Sequence, residues 1–169
     1  MSKHTFKVII YSDYSIIVTI LKIFVVFFRY IRNIDGSFGF QREVFEMLKE
    51  KTKHMEVWER HGCLLVDECK VSKTKKFDKN LMEFVGFIDL VHHTPQKMEN
   101  SLGDHALVIM FQPFAGHGLA LACFLSGGDI SGEILSKIML ECIILCENAG
   151  LYIDVNTSDG AIWNRKMWT

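Results

Sequence analysis

Residues 63–90 read CLLVDECKVSKTKKFDKNLMEFVGFIDL, and the rest of the chain is interpreted around them. The stretch opens on a short apolar run, Cys63-Leu64-Leu65-Val66, bounded by Gly62 on one side and Asp67-Glu68 on the other. A run of that length between polar stops predicts a buried strand ending on acidic residues. The middle, Lys70 to Asn80, is a basic loop or hairpin arm carrying Lys70, Lys73, Lys75 and Lys76. Glu83 to Leu90 predicts a second short strand, broken at Gly86 because glycine weakens a strand interior.

Working towards the N-terminus, Gln41 to Glu59 places Val44, Met47, Leu48, Met55 and Trp58 at roughly helical spacing with charges between them. That pattern predicts a surface helix. Before it, Asp35-Gly36-Ser37 marks a turn. Ile16 to Phe28 (IIVTILKIFVVFF) is nearly all apolar, with Lys22 in its middle. It is shorter than the about 20 residues a membrane helix needs. No small-residue cleavage site follows it, so a signal peptide fits poorly. A buried element, or a segment foreign to the domain behind it, ranks first. A membrane anchor over residues 14–30 is the lesser alternative.

Towards the C-terminus, Val91 to Gly103 is polar and contains Pro95, which predicts a loop. Ala106–Phe111 and Leu119–Leu125 are apolar runs flanking a glycine-rich connection, the pattern of an antiparallel pair. Ser131 is a candidate N-cap with Glu133 in the first turn. Ile134 to Cys146 then fills a helix that is apolar around much of its circumference, and Gly150 sits where a stop is expected. Leu151 to Asn156 is a further strand, and residues 157–160 are a turn at its carboxyl end. Strand, basic arm, antiparallel pair, buried helix, strand is an α/β order on a mixed sheet.

Composition bounds the function. The 169 residues carry a formal net charge of −1 and are 49% apolar, which excludes a disordered charged tail and strong overall attraction to nucleic acid. A local basic patch is still allowed. The five cysteines, Cys63, Cys69, Cys123, Cys142 and Cys146, form no CxxC pair and several sit in apolar runs, as in a reducing compartment. Cys142 and Cys146, four apart on a helix, read as core packing. His61, Cys63 and Cys69 match no zinc spacing. His92-His93 and Asp104-His105 offer metal or acid–base chemistry, but His105 directly precedes an apolar strand, where a satisfied edge histidine is the ordinary outcome. Trp163 and Trp168 flank Arg165 and Lys166 and read as helix packing residues.

Two acidic residues hold corresponding places: Asp67 after the strand LLV, and Asp159 after the strand LYIDVN. If those strands are parallel neighbours, both carboxylates emerge at one end of the sheet, where ligands of open α/β sheets bind. Two carboxylates there suit Mg²⁺, and two such ions about 4 Å apart can clamp the attacking and leaving oxygens in phosphodiester chemistry. On pattern alone, ordinary loop acids are the commoner explanation.

The segment LLVDECKVSKTKKFDKNLMEFVGFIDL resembles the start of the catalytic domain of P-element-type transposases, including the THAP-domain relatives. The likeness runs through Asp67-Glu68, the arm Lys70 to Lys76, and Gly86-Phe87-Ile88-Asp89. It continues through DHALVIMFQPF, LACFLSGGDISGEIL and VNTSDGAIWNRKMW in the same order, from Phe38 to Trp168. The resemblance implies a truncated RNase H-like fold and a DDE-type site. Its first Asp falls on Asp67 and its second on Asp159, with Glu68 a weaker third candidate. It implies Mg²⁺ or Mn²⁺ as cofactor, DNA as partner with self-association as a second partner class, and a nuclear location. In that family the reaction is DNA strand cleavage and strand transfer. Phosphate contact by Lys70, Lys73, Lys75 and Lys76 follows only if the resemblance holds.

The departures are equally specific. The family's third acid lies beyond an inserted domain linked to guanine-nucleotide binding, and neither falls within this chain. No zinc-finger spacing matches the family's THAP domain. The organisation expected is an apolar segment of unclear origin over 1–37, a helical lead-in over 38–61 and a partial core over 62–169. Such a fragment is expected to be inactive alone. It should also leave an apolar patch open on one sheet face, or cover it with residues 14–34. The competing reading is a non-catalytic DNA-binding or protein-interaction module derived from a transposase.

Overall fold

The computed structural model describes residues 38–79, 82–128 and 130–158. The apolar N-terminal segment, with its anchor and foreign-segment readings, lies outside them, as do Asp159 and the tryptophans of the tail. No helix among the described residues is long and apolar enough to cross a membrane.

Seven strands and two α-helices make up the described chain. They are β1 (Gly39–Phe40), α1 (Arg42–Thr52), β2 (His61–Lys70), β3 (Lys76–Asp78), β4 (Glu83–Val85), β5 (His105–Pro113), β6 (Leu119–Ser126), α2 (Gly132–Asn148) and β7 (Tyr152–Ser158). Five of the strands form one sheet in the order β1-β6-β5-β2-β7. All its pairings are antiparallel except β2 with β7, which run parallel across the α2 crossover. The expected mixed sheet and antiparallel β5–β6 pair are therefore present. The basic arm is a separate two-stranded hairpin of β3 and β4.

β5 from Ala106 to Phe111 and β6 from Leu119 to Leu125 are continuously apolar, and both of their faces are buried. One face carries the main core: Leu64, Val66, Leu107, Ile109, Leu121 and Phe124 meet Val44, Phe45 and Leu48 of α1 and Leu135, Ile138 and Cys142 of α2. The other face carries a second cluster of Ala106, Val108, Met110, Ala120 and Cys123, against which Leu65, Cys69 and Val71 pack. These five residues are buried, so they do not form the open apolar patch expected of a fragment. The alternative cover, residues 14–34, falls outside the described residues.

Boundaries differ from the sequence reading at α1, at β2 and at β7, which runs to Ser158 where the sequence predicts a turn over 157–160. α1 ends at Thr52 instead of running to Glu59, because the Thr52 hydroxyl donates to the Ala149 carbonyl at 2.7 Å and the chain then turns through Lys53 and His54. Val57–Arg60 is a separate 3-10 turn, closed by the Arg60 guanidinium on the Met55 carbonyl. Met47 and Trp58 consequently face solvent and are not part of a core stripe. β2 continues past Val66 to Lys70, since β5 offers it partners as far as His105. α2 begins as expected, with Ser131 Oγ accepting from the Ile134 N–H at 3.3 Å, but Leu140 and Ile144 leave one of its faces exposed.

Candidate active site

β2 is the strand that positions the candidate carboxylates. Its register with β5 is unbroken from Gly62↔Pro113 to Lys70↔His105 and sets Asp67 opposite Val108 and Glu68 opposite Leu107. Asp67 therefore lies inside a strand and not in a loop after it. Successive strand residues face opposite ways. Asp67 shares its face with Leu65 and Cys69, whereas Glu68 shares the face of Leu64 and Val66. The two neighbours thus sit on opposite sides of the sheet. Asp67 is half-buried, and its Oδ1 accepts the Glu68 backbone N–H at 2.8 Å.

β7 runs parallel beside β2. Its last described pairs are Thr157 with Leu65 and Ser158 with Val66. Asp67 and Asp159 are the residues that follow that last pair in the sequence, and Asp159 itself lies outside the described residues. Between Gly62 and Cys63 the ladder shifts by one residue at Asp154. That shift is what brings Thr157 and Ser158 into step with Leu65 and Val66.

The field around Asp67 is negative. Burial pushes the Cys69 thiol above its usual range, and the Asp67 and Glu68 carboxylates raise it further. Cys123, buried in the same cluster, is pushed up to about 12 by burial with a contribution from Cys69. Neither thiol is poised as a nucleophile.

The basic arm leaves the same end of the sheet. Lys70, Lys73, Lys75 and Lys76 are all exposed, and no ion pair among the described residues engages them. Lys70 lies three residues along the strand from Asp67, about 10 Å at strand rise. The Lys75 ammonium sits over the Phe84 ring at 4.1 Å and 5.4 Å from the Phe87 ring, and Phe77 meets Phe84 edge to face at 5.2 Å. The arm's base is a glycine by necessity. Gly86 has φ +106°, and a Cβ there would run into the Thr74 carbonyl oxygen.

The remaining candidates resolve individually. His105, the first residue of β5, holds Asp104 at 2.7 Å. That hydrogen bond, with help from Lys73, keeps the Asp104 carboxyl below its usual range. This is the strand-edge histidine the sequence suggested. His61 pairs with Asp154 at 2.9 Å and stacks on Tyr152. Cys63 and Cys69 are six residues apart on one strand, about 20 Å, and cannot share an ion. Cys142 and Cys146 are fully buried in the core, and the hydrogen bond between them, together with burial, raises the Cys142 thiol. Sequence reasoning missed that Glu141 of α2 lies against His92 and His93. The only signal was a charged residue interrupting the apolar run of α2.

Comparison with known proteins places this architecture. The profile of the TNP-like, RNase H N-terminal domain family matches residues 36–169. Among solved structures, the fold is similar to that of the Drosophila P element transposase strand transfer complex, with TM-score 0.58 and 14% sequence identity. The match covers 85% of this chain and 28% of that one, so the chain spans little more than a quarter of that protein. No curated protein matches the sequence.

Proposed function

The chain belongs to the TNP-like, RNase H N-terminal domain family, and on that premise we propose that it is the first part of a DDE-type transposase catalytic domain. In that role Asp67 and Asp159 would hold Mg²⁺ or Mn²⁺ for DNA strand cleavage and strand transfer. The observation that supports this reading is the parallel pairing of Ser158 with Val66, the pair after which Asp159 and Asp67 follow in the sequence.

The donor chemistry fits. Carboxylate oxygens are the ligands Mg²⁺ prefers, and the negative field felt by Cys69 is the environment that recruits a cation. When bound, such ions supply Lewis acidity to the attacking and leaving oxygens of the phosphodiester. Asp67, fixed in mid-strand, provides a rigid ligand, and Glu68 on the opposite face does not reach the same ion. Lys70, Lys73, Lys75 and Lys76 contact the DNA backbone. The nucleus is the compartment this partner implies.

The isolated chain is catalytically inactive or nearly so. Two carboxylates anchor a two-metal site incompletely. Incubation of supercoiled plasmid with the chain and Mg²⁺ or Mn²⁺ tests this, the expected result being no nicking. Cleavage abolished by Asp67→Ala would sink the claim of inactivity while supporting the site. The exposed lysine–phenylalanine hairpin favours a second reading, a non-catalytic DNA-binding module. Under that reading Asp67→Asn changes neither Mn²⁺ binding nor DNA affinity.

A further inference from the structure

We propose that His92, His93 and Glu141 form a binding site for a divalent transition-metal ion of the zinc class. The site is separate from the Asp67 region and independent of the transposase reading.

The local fold brings the three side chains together. Leu90 is fully buried and anchors the chain before the turn. Val91 then adopts φ +55°, a left-handed conformation that is costly for a β-branched residue. Two side chains hold it there. Asp89 Oδ1 accepts the Val91 N–H at 2.9 Å, and Thr94 Oγ1 accepts the Leu90 N–H at 2.8 Å. The resulting 3-10 turn, Val91–His93, sends two consecutive imidazoles the same way, with ring centroids 4.0 Å apart. Both Nε2 atoms face one oxygen of Glu141 on α2. His93 Nε2 lies 2.7 Å and His92 Nε2 3.1 Å from Glu141 Oε2, and the three ligand atoms lie within 4.8 Å of one another.

Two imidazoles and one carboxylate suit Zn²⁺, Co²⁺ or Ni²⁺, whereas Mg²⁺ and Ca²⁺ take oxygen ligands. At metal–ligand distances of about 2.0–2.2 Å, tetrahedral ligands stand about 3.3–3.5 Å from each other. The two imidazole–carboxylate spacings open by about 0.2–0.8 Å to reach that geometry, and the remaining spacing, within 4.8 Å, closes by up to about 1.5 Å. The side chains have room to do so, because His92 is 62% exposed and Glu141 31% exposed, while His93 at 13% fixes the inner wall. The open side faces solvent, so water completes the shell. The ion would tie the turn after Leu90 to the helix that crosses over to β7.

The test is Zn²⁺ titration of the full chain, stripped with chelator, against a chromophoric indicator, with Co²⁺ as spectroscopic probe. One equivalent of Zn²⁺ is expected, with a rise in Tm. The Co²⁺ spectrum should show ligand-field bands without thiolate charge transfer. His93→Ala and Glu141→Gln should weaken Zn²⁺ binding by more than the about 10–100-fold that loss of an outer-shell partner costs. His92→Ala, at an exposed position that tolerates truncation, should weaken it likewise with the fold intact by circular dichroism. Asp67→Asn should leave it unchanged. No binding, thiolate charge transfer, binding that survives His92→Ala, or loss in Asp67→Asn overturns the proposal.

Discussion

The basic arm makes a quantitative claim about salt. If Lys70, Lys73, Lys75 and Lys76 each neutralise one phosphate, the slope of log K against log[salt] on duplex DNA is about −3.6, at about −0.9 per contact. Between 50 and 200 mM salt the affinity then falls about 150-fold. The structure decides which lysines to remove. Lys75 is held over Phe84 and Phe87, so its loss would disturb packing as well as charge. Lys70, Lys73 and Lys76 are exposed, so Lys→Gln there removes charge with little else. The triple variant should keep a slope of about −0.9 and lose only about 3.5-fold over the same salt range. Fluorescence anisotropy with a labelled random-sequence duplex at four salt concentrations measures both slopes. Lys53→Gln is the control, since that ammonium already pairs with Glu50 at 2.7 Å. An unchanged slope in the triple variant would refute backbone contact by the arm. So would an equal loss in the control, which would mean the effect is net charge alone.

Three further outcomes follow from particular contacts. Gly86→Ala must accommodate a Cβ against the Thr74 carbonyl at a glycine-only φ. The hairpin should open, with faster tryptic cleavage after Lys75 and Lys76 and little change in Tm, because the hairpin lies outside both cores. Thr52→Val strands the buried Ala149 carbonyl that now accepts at 2.7 Å. The expected cost is about 2 kcal/mol, a Tm lower by about 4–8 °C in a domain of this size by calorimetry. Asp104→Asn removes a carboxyl whose acidity is raised by the His105 hydrogen bond. A depressed carboxyl stabilises the fold fully above its unfolded value, 3.8, and loses that contribution as pH falls through the lower folded value. Parent and variant should therefore differ in urea midpoint at pH 6 and converge as pH falls below the lowered folded value, since protonation there removes the same charge. A difference that persists in acid would assign the effect to packing.

Element type was legible where apolar pattern and turn chemistry agreed. β5, β6 and α2 were of this kind, and Ser131 and Gly150 marked the ends of α2. Element length was not legible where a partner decides it. Nothing in Asp67-Glu68-Cys69-Lys70 looks like a strand. Those residues extend because β5, apolar up to Ala106, supplies the other half of the ladder. α1 stops at Thr52 for a similar reason, a hydroxyl whose acceptor lies 97 residues away. The strand-end reading of Asp67 failed on the same point. The cluster of His92, His93 and Glu141 was half visible: the adjacent histidines could be read, but their carboxylate partner is set by how α2 docks.

The position of Asp67 inside β2 also bears on the proposed metal site. A carboxylate on a central strand is held by two neighbours, β5 by an unbroken antiparallel ladder and β7 in parallel. Sites on strands are positioned more closely than sites on loops. The cost is partial burial of a charge beside Val108 and the Leu65–Cys69 cluster, a cost a cation relieves and a phosphate would worsen. The Cys69 thiol, raised chiefly by burial, is raised further by the Asp67 and Glu68 carboxylates. The lysines, by contrast, begin only at Lys70 and leave the sheet on a hairpin tied down at Gly86. Negative charge is thus rigid and half-buried, while positive charge is exposed and carried on an arm. A polyanionic backbone is drawn to the arm and repelled by the Asp67 carboxylate, so under the proposed metal-binding role a cation at Asp67 precedes approach of the backbone to the sheet. On this argument DNA affinity at the sheet end should rise with Mn²⁺ in the parent, and this increase should vanish in Asp67→Asn while the arm's salt slope stays intact.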